Sequence, residues 1–393
     1  MPTQSPFLSY KIECPICKTV NEFETVRVGA YTERGRDTDF CPLDIKWRFP
    51  RYDGYNPLLF FTATCSNCFY TREMNNEFRD WKNDNHFKTY RLRSIKEQHL
   101  EQLSIADSAV KRLGEAVDTT RHPNESAVLK LLLAIYDESL SERPHALDLG
   151  RFYLRIAWIF RDMARGEDSG TQLLKGMMHE IDSCYSRMKM TLEEFGVDVA
   201  AFTTTVDSHF ESEQLSAHVQ SQLLSHRELY AAEISGLKED IENCEQRLNA
   251  IRQLLNEHRT ALVGSAEGEG PRFGQYSSFE NFLAELKSIW SGAVTNEREA
   301  IEQAIGHYKE AFANGRDISP GNQQIQASYL IAELSRRIGD YETAKEYFSS
   351  TIKAGQEFIY QNRHDQSRTI LARKILELAI EQGRTNLAAL KPA

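Results

Sequence analysis

Tyr10-Lys11-Ile12-Glu13-Cys14-Pro15-Ile16-Cys17 and Leu59-Phe60-Phe61-Thr62-Ala63-Thr64-Cys65-Ser66-Asn67-Cys68 are the two stretches whose reading decides the fold. Each ends in a CxxC pair, and the residues leading into each pair read as a strand. Two thiolates at i and i+3 on a tight turn point at one ion. A second such turn completes a tetrahedron, with zinc–sulfur distances of about 2.3 Å. Sulfur then closes all four positions and leaves none for water, so the expected ion is one structural Zn2+ per chain, held by Cys14, Cys17, Cys65 and Cys68. Rubredoxin-like iron would use the same ligands. A redox dithiol would need a βαβ setting, which neither pair has.

Five of the seven cysteines fall in the first 68 residues, while Cys184 and Cys244 lie in later helical stretches. The first 20 residues lack a basic region followed by an apolar one, so a cytoplasmic chain is expected. In a reducing compartment clustered cysteines bind metal rather than pair as disulfides. The charge balance is −10, with 26% charged and 41% hydrophobic residues, and mean hydropathy is −0.51. That excludes a general nucleic-acid coat, and no run is apolar enough for a membrane span.

The two pairs are separated by 47 residues, against about 15–20 in common ribbons, so a folded insert is expected between them. Residues 40–90 carry 13 of the chain's 40 aromatic residues. The plain account is a small metal domain with a core of rings. The sharper one is an exposed aromatic face with Lys46, Arg48, Arg51, Lys88, Arg91 and Arg93 that stacks on nucleotides. Residues 1–100 sum to only +2, too weak to require nucleic acid. Cys41 reads as a small buried hydrophobe, with an alternative ligand or a reactive thiol as the other readings. Asp37 and Asp39 read as loop residues that cap or order their turn.

The order YxxxCPxC, RGRDTDFCP, YNP and CxxCxY resembles a bacterial domain-of-unknown-function family in which a CxxC…CxxC module precedes tetratricopeptide-like helices. The matching positions are Cys14, Cys17, Asp37, Asp39, Phe40, Cys41, Tyr55, Asn56, Pro57, Cys65, Cys68 and Tyr70. The likeness is specific over residues 8–80 and looser to about residue 165. Ser66-Asn67 departs from the proline and small residue expected inside the second pair, which leaves the ligands intact. The resemblance implies architecture and no catalysis.

From about residue 92 the apolar spacing is helical. Asn124 or Ser126 is expected to cap a helix holding Val128, Leu131, Leu132 and Ile135, and Pro144 restarts the chain before a helix over 146–164. A 34-residue helix–turn–helix unit fits best near Ile325, with Ile331 and Ala332 at the helix crossing, Gly339-Asp340-Tyr341 as the turn, and Ala344, Phe348 and Thr351 in the second helix. A second copy would pair a helix over 279–290 with Ala304, Tyr308 and Ala311. A third shows only its first helix, around Tyr153 to Ala157, and a helix over 367–381 would cap the stack. An ordinary helical bundle is the alternative.

Leu223, Tyr230, Ile234, Leu237, Ile241, Cys244, Leu248, Ile251, Leu255, His258 and Leu262 keep a three–four spacing through most of their run, as in a coiled-coil seam. Such a helix, capped by Ser212, would be roughly 75 Å long at about 1.5 Å per residue. Either the helical stretch over 173–195 covers its stripe as a hairpin, or a second chain does so in a homodimer. Gly264 to Pro271 reads as a linker.

The expectation is therefore an α+β chain. A zinc-ribbon-like β-rich module (1–91) leads into tetratricopeptide-like helices (92–170), a coiled-coil insertion (171–263), a linker (264–277), and further repeats with a capping helix (278–393). No HExxH, GxSxG, GxxxxGK[ST] or GxGxxG motif is present, and an enzyme is not expected. The expected role is an interaction scaffold for a protein or peptide partner. The alternative is a regulator that binds nucleic acid through the zinc module.

Overall fold

The computed structural model describes residues 5–165, 169–210, 231–247, 249, 250, 253 and 273–390. Two antiparallel hairpins carry the cysteines. In the first, β1 (Phe7–Glu13) pairs with β2 (Val20–Val26), Glu13 standing opposite Val20, and Cys14 and Cys17 sit in the connecting turn. In the second, β5 (Thr62–Thr64) pairs with β6 (Thr71–Glu73), closing on Cys65 and Cys68. The insert holds a third hairpin, β3 (Tyr31–Arg36) with β4 (Pro42–Trp47).

The strand expected over residues 59–64 is shorter than its pattern suggests. Pro57 cannot donate a backbone hydrogen bond, and the Asn56 side chain accepts from Leu58 N at 3.0 Å, so Pro57–Phe60 winds into a 3-10 turn. Of the 13 rings between residues 40 and 90, only Tyr90 is exposed. Phe7, Trp47, Tyr52 and Phe60 pack edge to face or tilted at 4.4–6.4 Å, forming the core of rings.

A short turn α1 (Asn76–Arg79) and a wide turn Phe87–Arg91 lead into α2 (Leu92–Ser104), α3 (Ala109–Ala116), α4 (Pro123–Ser139) and α5 (Ala146–Arg165). Helix α4 begins with a proline in its first turn rather than with a polar cap. The two residues expected to cap it serve neighbours instead. Asn124 Oδ1 accepts from Asn56 N at 3.0 Å, and Ser126 Oγ accepts from Asp118 N at 3.0 Å.

Residues 169–210 form α6 (Ser169–Phe210), and residues 231–247 are helical (α7). They belong to a compact unit of residues 166–270, separate in packing from the unit made by residues 1–165 and 271–393. Within the smaller unit, Tyr185 Oη donates to Asn249 Oδ1 at 2.8 Å, so its two helical segments touch. Ile234 and Ile241 are half-buried, whereas Leu237 and Cys244 are exposed. Ser212, Leu223, Tyr230, Leu248, Ile251, Leu255, His258, Leu262 and the linker over 264–271 lie outside the described residues.

The larger unit continues with α8 (Phe279–Ile289), α9 (Glu297–Asn314), α10 (Asn322–Arg337), α11 (Tyr341–Gln361) and α12 (Gln366–Ala389). Gly339 adopts φ 88° and Asp340 caps α11 by accepting from Thr343 N at 3.1 Å, so α10 and α11 fold back on each other. Ile331, Ala332, Ala344 and Thr351 are fully buried and Phe348 nearly so. Helix α12 packs on both α10 and α11 and runs eight residues past its expected end.

Helix α9 does not take α8 as its main partner. It packs against α5 and α10, and with α8 it shares the Lys287–Glu299 ion pair at 2.8 Å. The contact with α5 depends on Gly150, where an added Cβ would lie 3.1 Å from the buried Tyr308 ring. The first-helix pattern at Tyr153 to Ala157 thus finds its mate beyond the whole 166–270 unit. No described helix is long and apolar enough to cross a membrane.

Candidate metal centre

The two CxxC turns are conformational twins. In the first, Cys14 N donates to Thr19 O at 2.9 Å and Lys18 N to Cys14 O at 3.1 Å; in the second, Cys65 N donates to Tyr70 O and Phe69 N to Cys65 O, both at 2.9 Å. Each turn needs a left-handed residue just after its second cysteine, and Lys18 (φ 67°) and Phe69 (φ 63°) supply it without being glycine. Phe69 is held there by α3. Its ring occupies the place where a side chain on Gly114 would stand, 2.0 Å from an ideal Cβ.

These turns bring Cys14, Cys17, Cys65 and Cys68 together, with all four sulfurs within 4.8 Å of one another. Cys14 Sγ is 3.6 Å from Cys68 Sγ, and Cys17 Sγ is 3.5 Å from Cys65 Sγ. A tetrahedral ion with bonds of about 2.3 Å sets sulfurs roughly 3.8 Å apart, so the four residues fit a metal ion. Held this close, the thiols divide their charge. Hydrogen bonds from Cys14 and Cys68 hold Cys65 far below the ordinary thiol range, while Cys14 is pushed up to about 12 by its bond to Cys65. A bound cation would relieve that conflict by favouring all four thiolates.

A polar shell fixes the second turn, and the spacing of the cysteines gave no sign of it. Asn21 Nδ2 donates to Cys65 Sγ at 3.4 Å, and its Oδ1 accepts from Ser66 N at 2.9 Å. His99 Nε2 lies 2.7 Å from Cys68 O, and His99 Nδ1 lies 2.6 Å from Asp137 Oδ1. Asp137 Oδ2 accepts from Thr71 N at 2.7 Å. Burial alone would lower His99, but the Asp137 carboxylate outweighs it and raises the imidazole. The sequence signal for this pair was Asp137 itself, a lone acid after Leu131-Leu132-Leu133-Ala134-Ile135-Tyr136.

Cys41 is buried outside the four-sulfur cluster, and burial pushes its thiol up to about 12. Its loop, Asp37 to Cys41, is bound to the helices. Asp37 Oδ1 accepts from Thr38 N at 2.7 Å and Asp39 Oδ1 from Cys41 N at 3.2 Å, so both acids order the turn. They also reach outward. Arg161 of α5 donates to Asp39 Oδ1 and Oδ2 at 3.1 and 2.7 Å, and Arg337 of α10 lies 2.6 Å from Asp37 Oδ1. Tyr329 Oη donates to Thr38 O at 2.8 Å, and Phe40 packs between the two helical cores.

Hairpins that gather four cysteines able to hold a metal ion, tied through a charged loop to a stack of helices, define an α+β protein with a four-cysteine cluster. The chain belongs to the family described as "Uncharacterized protein conserved in bacteria (DUF2225)", which matches residues 7–219 and 280–371. No curated protein and no solved structure matches the chain.

Proposed function

We propose that this chain is a non-enzymatic interaction scaffold, in which a structural Zn2+ at Cys14, Cys17, Cys65 and Cys68 anchors a tetratricopeptide-like stack that holds a protein or peptide partner. The observation that carries this reading is the packing of α10, α11 and α12 through small buried residues, Ala332, Ala344, Ala372 and Ala379. Stacked helix pairs of that kind present extended faces suited to peptides and helices. The Asp37–Cys41 loop already covers part of α10, so the face left for a partner lies on α11 and α12. Tyr360, Ile370 and Leu371 are exposed there, at 70%, 55% and 40%. Four thiolates leave a zinc ion no open position for substrate, which supports a structural role. Packed rings in the module support the scaffold over the nucleic-acid reading, because base stacking needs exposed rings.

The test is photo-cross-linking in the native cell with a reactive residue at Tyr360. One recurrent protein adduct, lost when α12 is made polar by I370E/L371E, is expected. The same adducts from a probe placed at exposed Arg34 would refute a site on this face. A salt-sensitive gel shift of the intact chain with single-stranded RNA, together with no adduct, would instead favour the nucleic-acid reading.

A further inference from the structure

Behind the second cysteine turn, a polar cavity of about 320 Å3 opens between β6, the Phe87–Arg91 turn, α4 and α5. Arg72, Arg91 and Arg151 line it together with His145 and the carboxylates of Glu73, Asp137, Glu138 and Asp148, of which Asp137 is held by His99 and Thr71 N. The charges do not cancel pair by pair. Arg91 is bound to the Glu138 carboxylate, and Arg151 lies 2.8 Å from Asp148 and 3.6 Å from Glu73. Arg72 has no carboxylate partner among the described residues. Its guanidinium lies over the Phe87 ring, 4.2 Å from the centroid. Arg72 Nη1 and Arg91 Nε are buried N–H donors without an acceptor.

Leaving a charged donor buried and unmatched costs its desolvation, so native proteins keep such groups for a purpose. Guanidinium forks match the oxygens of phosphate and carboxylate groups, and an aromatic face beneath one holds it in plane. The volume falls at the small end of ligand pockets, which suits a metabolite-sized ion rather than a polymer. We infer that this cavity binds a small molecule through a phosphate or carboxylate group, held by Arg72 and Arg91 beside the Phe87 ring. Glu73, Glu138 and Asp148, from β6, α4 and α5, would meet donor groups on the rest of that molecule.

Calorimetry on the full chain, titrated separately with inorganic phosphate, adenosine monophosphate and citrate, tests the site. Saturable one-site binding of at least one probe is expected. Arg72→Gln should weaken it at least about tenfold, the effect of losing a hydrogen bond to a charged group. Arg384→Gln, on exposed surface of α12, should leave it unchanged. Stronger binding of the nucleotide than of phosphate would mark a phosphorylated ligand, and stronger binding of citrate a carboxylate; either upholds the site. Absence of saturable heat from all three at millimolar concentration overturns it, as does equal weakening by both variants. Should Arg72→Gln fail to fold, amide exchange of the unaltered chain decides. The tightest probe must protect residues 71–73 and 87–91, and protection confined elsewhere removes the proposal.

Discussion

Arg161 grips Asp39 across 122 residues of sequence, through two parallel N–H···O contacts of 3.1 and 2.7 Å. The Asp39 side chain is fully buried and that of Arg161 only 12% exposed. Burial opposes the charge on Arg161, but Asp39 and Glu297 outweigh it and hold the guanidinium charged. Removing one partner of a buried pair leaves the other uncompensated, at about 3–5 kcal/mol. Arg161→Ala should therefore lower the unfolding free energy by that amount, read from urea denaturation, and Arg161→Lys should recover little, because an ammonium is a point charge without the planar fork that matches both oxygens. A loss under about 1 kcal/mol, the range of a surface pair, would contradict the clasp.

Asp37, on the same loop, gives the clasp an acid limit. Burial would raise its carboxyl, but Thr38 N–H and Arg337 outweigh burial and hold it below its ordinary value. The folded state then binds fewer protons than the unfolded state. Its contribution is complete above an ordinary carboxyl value of about 3.9 and is lost as pH falls through the lower folded value. Asp37→Asn should be less stable than the unaltered chain near neutrality, by roughly 1.5–3 kcal/mol. The gap between the two chains should narrow below about pH 4. Comparing the chains cancels any acid loss of metal common to both, and a gap that widens in acid would reverse the assignment.

Gly114 links a helix crossing to the metal site. An alanine in an ordinary helix position gains up to about 1 kcal/mol over glycine. Here its Cβ would fall 2.0 Å from Phe69 Cγ, one residue from Cys68. Gly114→Ala should destabilise the chain by about 1–3 kcal/mol, as overpacking does, and weaken metal retention against a chelator. Adding Phe69→Ala should restore retention by vacating the space. Gly150→Ala, 3.1 Å from Tyr308, should cost stability alone. If both glycine variants lose metal equally, the link through Phe69 is wrong.

Occupancy of the four-cysteine cluster can be counted. Native mass spectrometry of the intact chain should show one zinc per chain. Cys14→Ser or Cys65→Ser should abolish it and loosen both hairpins, because binding energy at such a site is folding energy. Cys41→Ser should retain the ion, since Cys41 lies outside the cluster. Amide exchange over residues 7–26 and 62–73 reads the hairpins directly; unchanged protection in the Cys65→Ser chain would falsify a structural role for the ion.

Sequence by itself determined what depends on neighbours a few residues apart. The i, i+3 spacing of Cys14 and Cys17, and of Cys65 and Cys68, fixes a turn that aims two sulfurs one way. Gly339-Asp340 sets a helix stop and a helix start, and Ala332, Ala344 and Phe348 mark a close crossing. Tertiary structure alone decided which distant surfaces meet. Helix α9 joins α5 although residues 166–270 intervene, because Gly150 admits the Tyr308 ring. The Asp37–Cys41 loop reaches α5 and α10 because Arg161, Tyr329 and Arg337 converge where Asp37, Thr38 and Asp39 arrive. His99 and Asp137 brace Cys68 from separate helices. Local geometry has a period that a sequence displays; the complementarity of two remote surfaces has none, and it exists only once the chain has closed on itself.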